Sequence, residues 1–224
     1  MAKTAIILGA TGLTGSILLQ KLIADNNYTS IKLFSRSLSK VSSNKVVEFI
    51  VDLQKPTTFA KDFIADEVFC CIGTTAAKTK DMKQYKAIDF GIPVTAATLA
   101  KKNGIPSYLV VSAMGANASS VVFYNKIKGE MEQAILALNI EKTHILRPSL
   151  IGGNRTEFRL GERIGQGMMS LLNPLFVGSL QKYKMIHPDA IATCLLKLAN
   201  SRHQQQIFSS DEIQKLANIS IYNE

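Results

Sequence analysis

The chain has 224 residues, 46% hydrophobic and 19% charged, which suits one α/β domain with a sizeable core and excludes a disordered or fibrous chain. Lys and Arg number 26 against 17 Asp and Glu, a formal charge of +9 that favours anionic ligands. No basic run is interleaved with aromatics and Trp is absent, which argues against a nucleic-acid partner; with three Cys in no framework, no N-terminal leader and no apolar run of ~18 residues, the expectation is a cytoplasmic protein without a membrane span.

Residues 5–8 form an apolar run that reads as a buried first strand. Gly9-Ala10-Thr11-Gly12-Leu13-Thr14-Gly15 follows and leads into a helical pattern over residues 15–24. Glycines there allow a sharp turn and close approach of a pyrophosphate, and the helix N-terminus presents free N–H groups to that anion. Thr11 and Thr14 add hydroxyl donors; the plain alternative is a tight turn with no ligand. A second strand, 31–35, ends in Phe34-Ser35-Arg36-Ser37 with Lys40 close behind and no carboxylate. An acid at that place bonds the ribose 2′-hydroxyl of NAD, whereas a guanidinium pairs with a 2′-phosphate, so Arg36 predicts NADP(H) over NAD(H). A solvated surface Arg is the alternative.

A third strand at 46–51 brings Leu53 to the adenine side, and a short helical pattern covers 59–64. A fourth strand, 67–71, holds Cys70 and Cys71, which point to opposite faces and are poorly placed to pair. At its carboxyl end Ile72-Gly73-Thr74-Thr75 lets the second half of a dinucleotide pass close to the backbone. A helix over 84–103 stops at Asn103-Gly104 before Pro106.

The fifth strand, 108–111, delivers the hydroxyl of Ser112 to hold a substrate oxygen, and a helix over 119–138 carries Tyr124 and Lys128 four apart on one face. An ammonium beside a phenol favours its charged form and fits the phenol for proton exchange with an alcohol or carbonyl. The spacing alone proves little, since Tyr28 and Lys32 repeat it across the loop into the second strand. A surface Tyr–Lys pair without consequence is the plain alternative.

A sixth strand, 143–146, is followed by a change of rhythm. Residues 152–183 read as a small substrate cap, in which Arg155, Arg159 and Arg163 form either a solvated face or a contact for an acidic group. A helix from Pro188 to about 199, a short strand at 206–208 and a Ser209/Glu212 capping box opening a last helix complete the chain. His144, His187 and His203 lie far apart, and no metal site is expected. The alternation predicts an α/β fold, a doubly wound parallel sheet with a small C-terminal cap, in one domain over residues 1–224.

The chain resembles the atypical short-chain dehydrogenase/reductases. The likeness lies in residues 9–15, Cys71-Ile72-Gly73-Thr74-Thr75, Ser112 with Gly115-Ala116, Tyr124-x-x-x-Lys128-Gly129-Glu130 and Leu146-Arg147-Pro148, and less specifically in Arg159-Leu160-Gly161-Glu162. It covers nearly the whole chain and is nearest the subgroup of the HIV Tat-interactive protein oxidoreductase. The resemblance implies an NAD(P)-binding Rossmann fold with Tyr124 as proton donor or acceptor. It implies an NADPH site lined by Thr11, Gly12, Leu13, Thr14, Arg36, Ile72, Gly73, Tyr124, Lys128, Ile151 and Arg159. Helices on one sheet face often make homodimers in this family, so a homodimer stays open.

Two departures stand out. Many relatives carry a second basic residue where this chain has Ser37, and many carry an Asn in the catalytic relay where the nearest counterpart here is Asp89. The expected function is NADPH-dependent oxidoreduction of a carbonyl or alcohol small molecule. The alternative is a non-catalytic NADPH-binding redox sensor or regulatory interaction protein. The short C-terminal part disfavours a sugar-nucleotide epimerase, and Tyr124 disfavours a flavin reductase that lacks a catalytic tyrosine.

Overall fold

The structure is a computed structural model that describes residues 2–75, 78–152 and 183–219. Seven strands form one parallel sheet in the order β3-β2-β1-β4-β5-β6-β7. They are β1 (Lys3–Leu8), β2 (Tyr28–Ser35), β3 (Val46–Ile50), β4 (Glu67–Cys70), β5 (Ser107–Val111), β6 (Lys142–Arg147) and β7 (Ile207–Ser209). Side chains of β1 alternate between two cores. Ala5 and Ile7 join the core under α1 (Leu13–Ala24), and Ile6 and Leu8 join the opposite one. Burial on both faces explains why the central strands read as apolar runs.

The core under α1 is completed by α5 (Pro188–Ala199) and α6 (Ser210–Asn218), and the opposite core by α3 (Ile92–Lys102) and α4 (Phe123–Leu136). Between β4 and α3 lie the five-residue α2 (Met82–Lys86) and a π-helical turn, Ala87–Gly91. Because β1 pairs with β2 on one side and β4 on the other, the chain reverses its winding there. Such a switch point opens a crevice at the carboxyl ends of the strands.

Several local expectations are corrected. The helix over 59–64 is instead a 3₁₀ turn at Pro56–Thr58, after which Phe59 and Phe63 pack against Phe34. The helix over 84–103 starts at Met82 and is interrupted by the π-helical turn. The helix over 119–138 starts at Phe123, because Asn117 and Ser120 accept the N–H groups of Ser119 and Val122 and hold the chain in turns. Tyr28 belongs to β2 rather than to a loop; it is buried and donates its hydroxyl to Glu67, while Lys32 donates to the carbonyls of Asp62 and Ile64. The Ser209/Glu212 capping box is present at the start of α6.

Much of the lysine surplus caps backbone. Lys45 Nζ donates to the carbonyls of Ile23 and Asp25 at the end of α1, Lys142 to Ala199 and Ser201 beyond α5, and Lys197 to Leu216 and Ala217 in the last turn of α6. Cations at helix C-termini satisfy orphan carbonyls and oppose the helix dipole. Among the described residues no helix is long and apolar enough to cross a membrane.

Candidate functional site

A cleft of about 1440 Å³ opens over the carboxyl ends of the strands. Gly9, Thr11, Gly12, Leu13, Thr14, Arg36, Leu53, Ile72, Gly73, Thr74, Ser112, Tyr124, Lys128 and Ile151 all line it. Gly15 lies beneath the loop, buried against Gly9. Arg159 lies outside the described residues, as do Arg155, Arg163 and residues 153–182 of the expected cap.

The loop after β1 needs its glycines for separate reasons. Gly9 adopts φ +85°, and a Cβ there would stand 2.8 Å from the Cys71 carbonyl oxygen, so the loop rests directly on the end of β4. A Cβ at Gly15 would stand 2.2 Å from the Gly9 carbonyl oxygen. Gly12 donates to that same oxygen at 3.0 Å and forms the N-cap of α1 without any side-chain cap. The first turn of α1 therefore keeps N–H groups for an anion.

Tyr124, Lys128 and Glu132 follow one another at intervals of four along α4. Tyr124 is partly exposed, and the Tyr85 ring meets it edge-on at 6.4 Å. Lys128 is buried, with its ammonium 2.9 Å from Asp89 Oδ1. Burial pulls against the charged lysine, yet the Asp89 carboxylate, with Tyr124, outweighs it and holds Lys128 above the ordinary lysine range. Asp89 comes from the π-helical turn, and its Oδ2 accepts the Thr74 N–H at 2.8 Å. One carboxylate thus ties the loop after β4 to the helix bearing Tyr124. Among the described residues Asp89 Oδ1 accepts no well-aligned hydrogen bond, and it lies 3.5 Å from where a Gly73 Cβ would be.

Ser112 differs from expectation. It lines the cleft, but its hydroxyl donates to Glu132, whose carboxylate also receives Arg147 Nε at 3.0 and 3.1 Å. The guanidinium donors and the Ser112 hydroxyl converge on the Glu132 carboxylate, so the one Ser112 proton is committed. Toward the cleft Ser112 offers lone pairs. The sequence reading missed Glu132 and the partner of Arg147; the continuing four-residue interval Tyr124, Lys128, Glu132 was the available signal. Gly129 is explained by close packing, since a Cβ there would stand 2.1 Å from the Ala118 nitrogen.

These features suit a dinucleotide. A glycine cradle and an uncapped helix start leave space and N–H groups for an anion, Gly73 leaves room beside the buried Asp89–Lys128 pair, and Arg36 stands exposed at the end of β2.

Residues 9–154 match the family model described as NAD(P)H-binding. Protein FMP52-1, mitochondrial, of Scheffersomyces stipitis is 36% identical over 80% of this chain and 76% of its own length. Protein HTATIP2 of Rattus norvegicus is 32% identical over 71% of this chain and 67% of its own. Among solved structures, UDP-glucuronic acid 4-epimerase from Bacillus cereus in complex with NAD shares the fold, with a TM-score of 0.70 at 13% identity over 92% of this chain and 76% of that one. The cytoplasmic expectation is overturned. FMP52 relatives from Scheffersomyces stipitis, Debaryomyces hansenii and Candida albicans are named mitochondrial, and neither the cysteine count nor the first residues identify a compartment against that.

Proposed function

The chain belongs to the NAD(P)H-binding family, with the atypical, HTATIP2-like short-chain dehydrogenase/reductases, and from that premise we propose that it is an NADPH-dependent oxidoreductase acting on a carbonyl/alcohol pair. The bound cofactor supplies or takes up the hydride. In this reading the loop of Gly9, Thr11, Gly12, Leu13, Thr14 and Gly15 holds the pyrophosphate against α1, and Arg36 holds the 2′-phosphate. Leu53 meets the adenine. Ile72, Gly73, Thr74 and Ile151 border the other half.

Tyr124 holds or releases the proton at its phenol oxygen. Lys128, whose ammonium stands in the cleft wall with Asp89 on one side and Tyr124 one turn away, favours the phenolate when the proton leaves. Ser112 fixes the substrate oxygen by turning its hydroxyl proton from Glu132 into the cleft. The observation that carries the reading is Lys128 buried in the cleft wall on the same helix face as Tyr124. A carbonyl and alcohol screen followed by NADPH absorbance tests it. Tyr124→Phe is expected to keep NADPH binding and lose turnover about 100-fold or more; activity surviving that change would rule out the proton transfer.

A second reading, a non-catalytic NADPH-binding redox sensor, is favoured by the Ser112 proton being committed to Glu132. Tight NADPH binding without turnover on any carbonyl or alcohol would support it. The names of the FMP52 relatives lead us to place the protein in mitochondria, which fractionation of cells expressing it tests.

A further inference from the structure

The nicotinamide end of the cleft contains a charge pair where a lone cation would act differently. Lys128 and Asp89 are both buried, 3% and 1% exposed, and their charged atoms are 2.9 Å apart. At any greater distance such a pair acts as a dipole, whose field falls off faster than that of one charge. The neighbouring groups do not restore a net charge. Glu132 is paired with Arg147, Glu130 with Lys86, and the Cys70 thiol is pushed up by burial and stays neutral. Asp89 Oδ1 and Lys128 Nζ are also the atoms that would stand nearest a side chain at Gly73, at 3.5 and 3.9 Å. The pair therefore faces the gap left by that glycine.

The two redox states of the cofactor differ in charge at the ring. The oxidised ring is a pyridinium cation and the reduced ring is neutral. A bare buried ammonium repels the first and is indifferent to the second. We infer that Asp89 is a charge-balancing residue: by cancelling Lys128 it lets the site hold the oxidised cofactor nearly as well as the reduced one. This rests on the NADPH reading above and on the ring lying beside the loop after β4. Asp89 touches Lys128 and backbone rather than the reacting atoms, so its role is one of positioning and electrostatics.

Equilibrium binding of NADPH and of NADP⁺ at pH 7 to the full chain tests the inference, with Asp89→Asn, Lys128→Met and the double variant. Asparagine keeps an oxygen to accept the Thr74 N–H, removes the negative charge and turns its amide NH2 toward Lys128. Asp89→Asn is expected to weaken NADP⁺ relative to NADPH by about tenfold. Lys128→Met should shift the ratio the other way, and the double variant should return it toward the starting value. A merely structural Asp89 would weaken both cofactors by the same factor, and that result, or an unchanged ratio, overturns the inference. Failure of the unaltered protein to bind either cofactor is a distinct result, and it removes the oxidoreductase reading itself.

Discussion

Ser112 donates its hydroxyl to Glu132 across the junction of β5 and α4, and Arg147 chelates the same carboxylate from β6. Three elements of the sheet's carboxyl edge are thereby locked in one polar knot. Glu132→Gln leaves Arg147 without its counter-charge and weakens the hydrogen bond from Ser112. The expected loss is about 2–3 kcal/mol, below that of a fully buried pair because Arg147 keeps contact with water. Ser112→Ala should cost about 1 kcal/mol. Urea unfolding of both variants checks this, and matching midpoints would contradict it.

Arg36 is exposed at the end of β2 with no acid in the same turn. Arg36→Asp replaces an attractive charge by a repulsive one at the expected 2′-phosphate. NADPH affinity should fall at least about tenfold while NADH affinity holds or rises. Unchanged NADPH affinity in a fluorescence titration would remove the assignment.

Two glycines should respond differently to alanine. At Gly15 the added Cβ meets the Gly9 carbonyl oxygen at 2.2 Å, so Gly15→Ala must displace the loop and should abolish dinucleotide binding. At Gly104 the Cβ meets nothing within 4 Å, and only the φ of +71° opposes it. Gly104→Ala should cost about 1 kcal/mol and leave binding intact. Thermal unfolding with an NADPH titration on each variant separates the two effects.

His144 predicts an acid-labile fold. Its Nδ1–H donates to the Gln205 carbonyl, its Nε2 is buried without a hydrogen-bond partner among the described residues, and burial lowers its pKa to about 4. The folded state holds the ring neutral while the unfolded chain takes up a proton below the ordinary 6.5. The stabilisation is therefore full above pH 6.5 and is lost as pH falls toward 4, up to about 3 kcal/mol. Glu67 runs the other way, since burial raises its pKa and favours its protonated form at low pH. The difference between wild type and His144→Leu across pH 7 to about 4 isolates the histidine. A constant difference would contradict the assignment.

The parallel sheet was legible because strands covered on both faces must be apolar along their whole length, as Ile6, Ile7 and Leu8 are. The cradle of Gly9, Gly12 and Gly15 was legible because its steric demands act over a few residues. Tyr28 was not, since its burial depends on Glu67, 39 residues away, and β2 opens on the polar Tyr28-Thr29-Ser30. Glu132 was hidden for a similar reason. A carboxylate on a helix usually faces water, and the guanidinium that draws this one inward comes from another element. The π-helical turn that carries Asp89 is a matter of backbone pairing, and no residue type announces it.

The ammonium groups of Lys45, Lys142 and Lys197 each stitch two or more main-chain carbonyls where helices end. An acylated amine has a single N–H and no charge, so it cannot replace such a stitch. An amine-acylating reagent would thus meet two populations, solvated lysines that react at once and stitched ones that wait for a helix end to fray. The order in which sites are labelled would read out, end by end, how often this scaffold breathes.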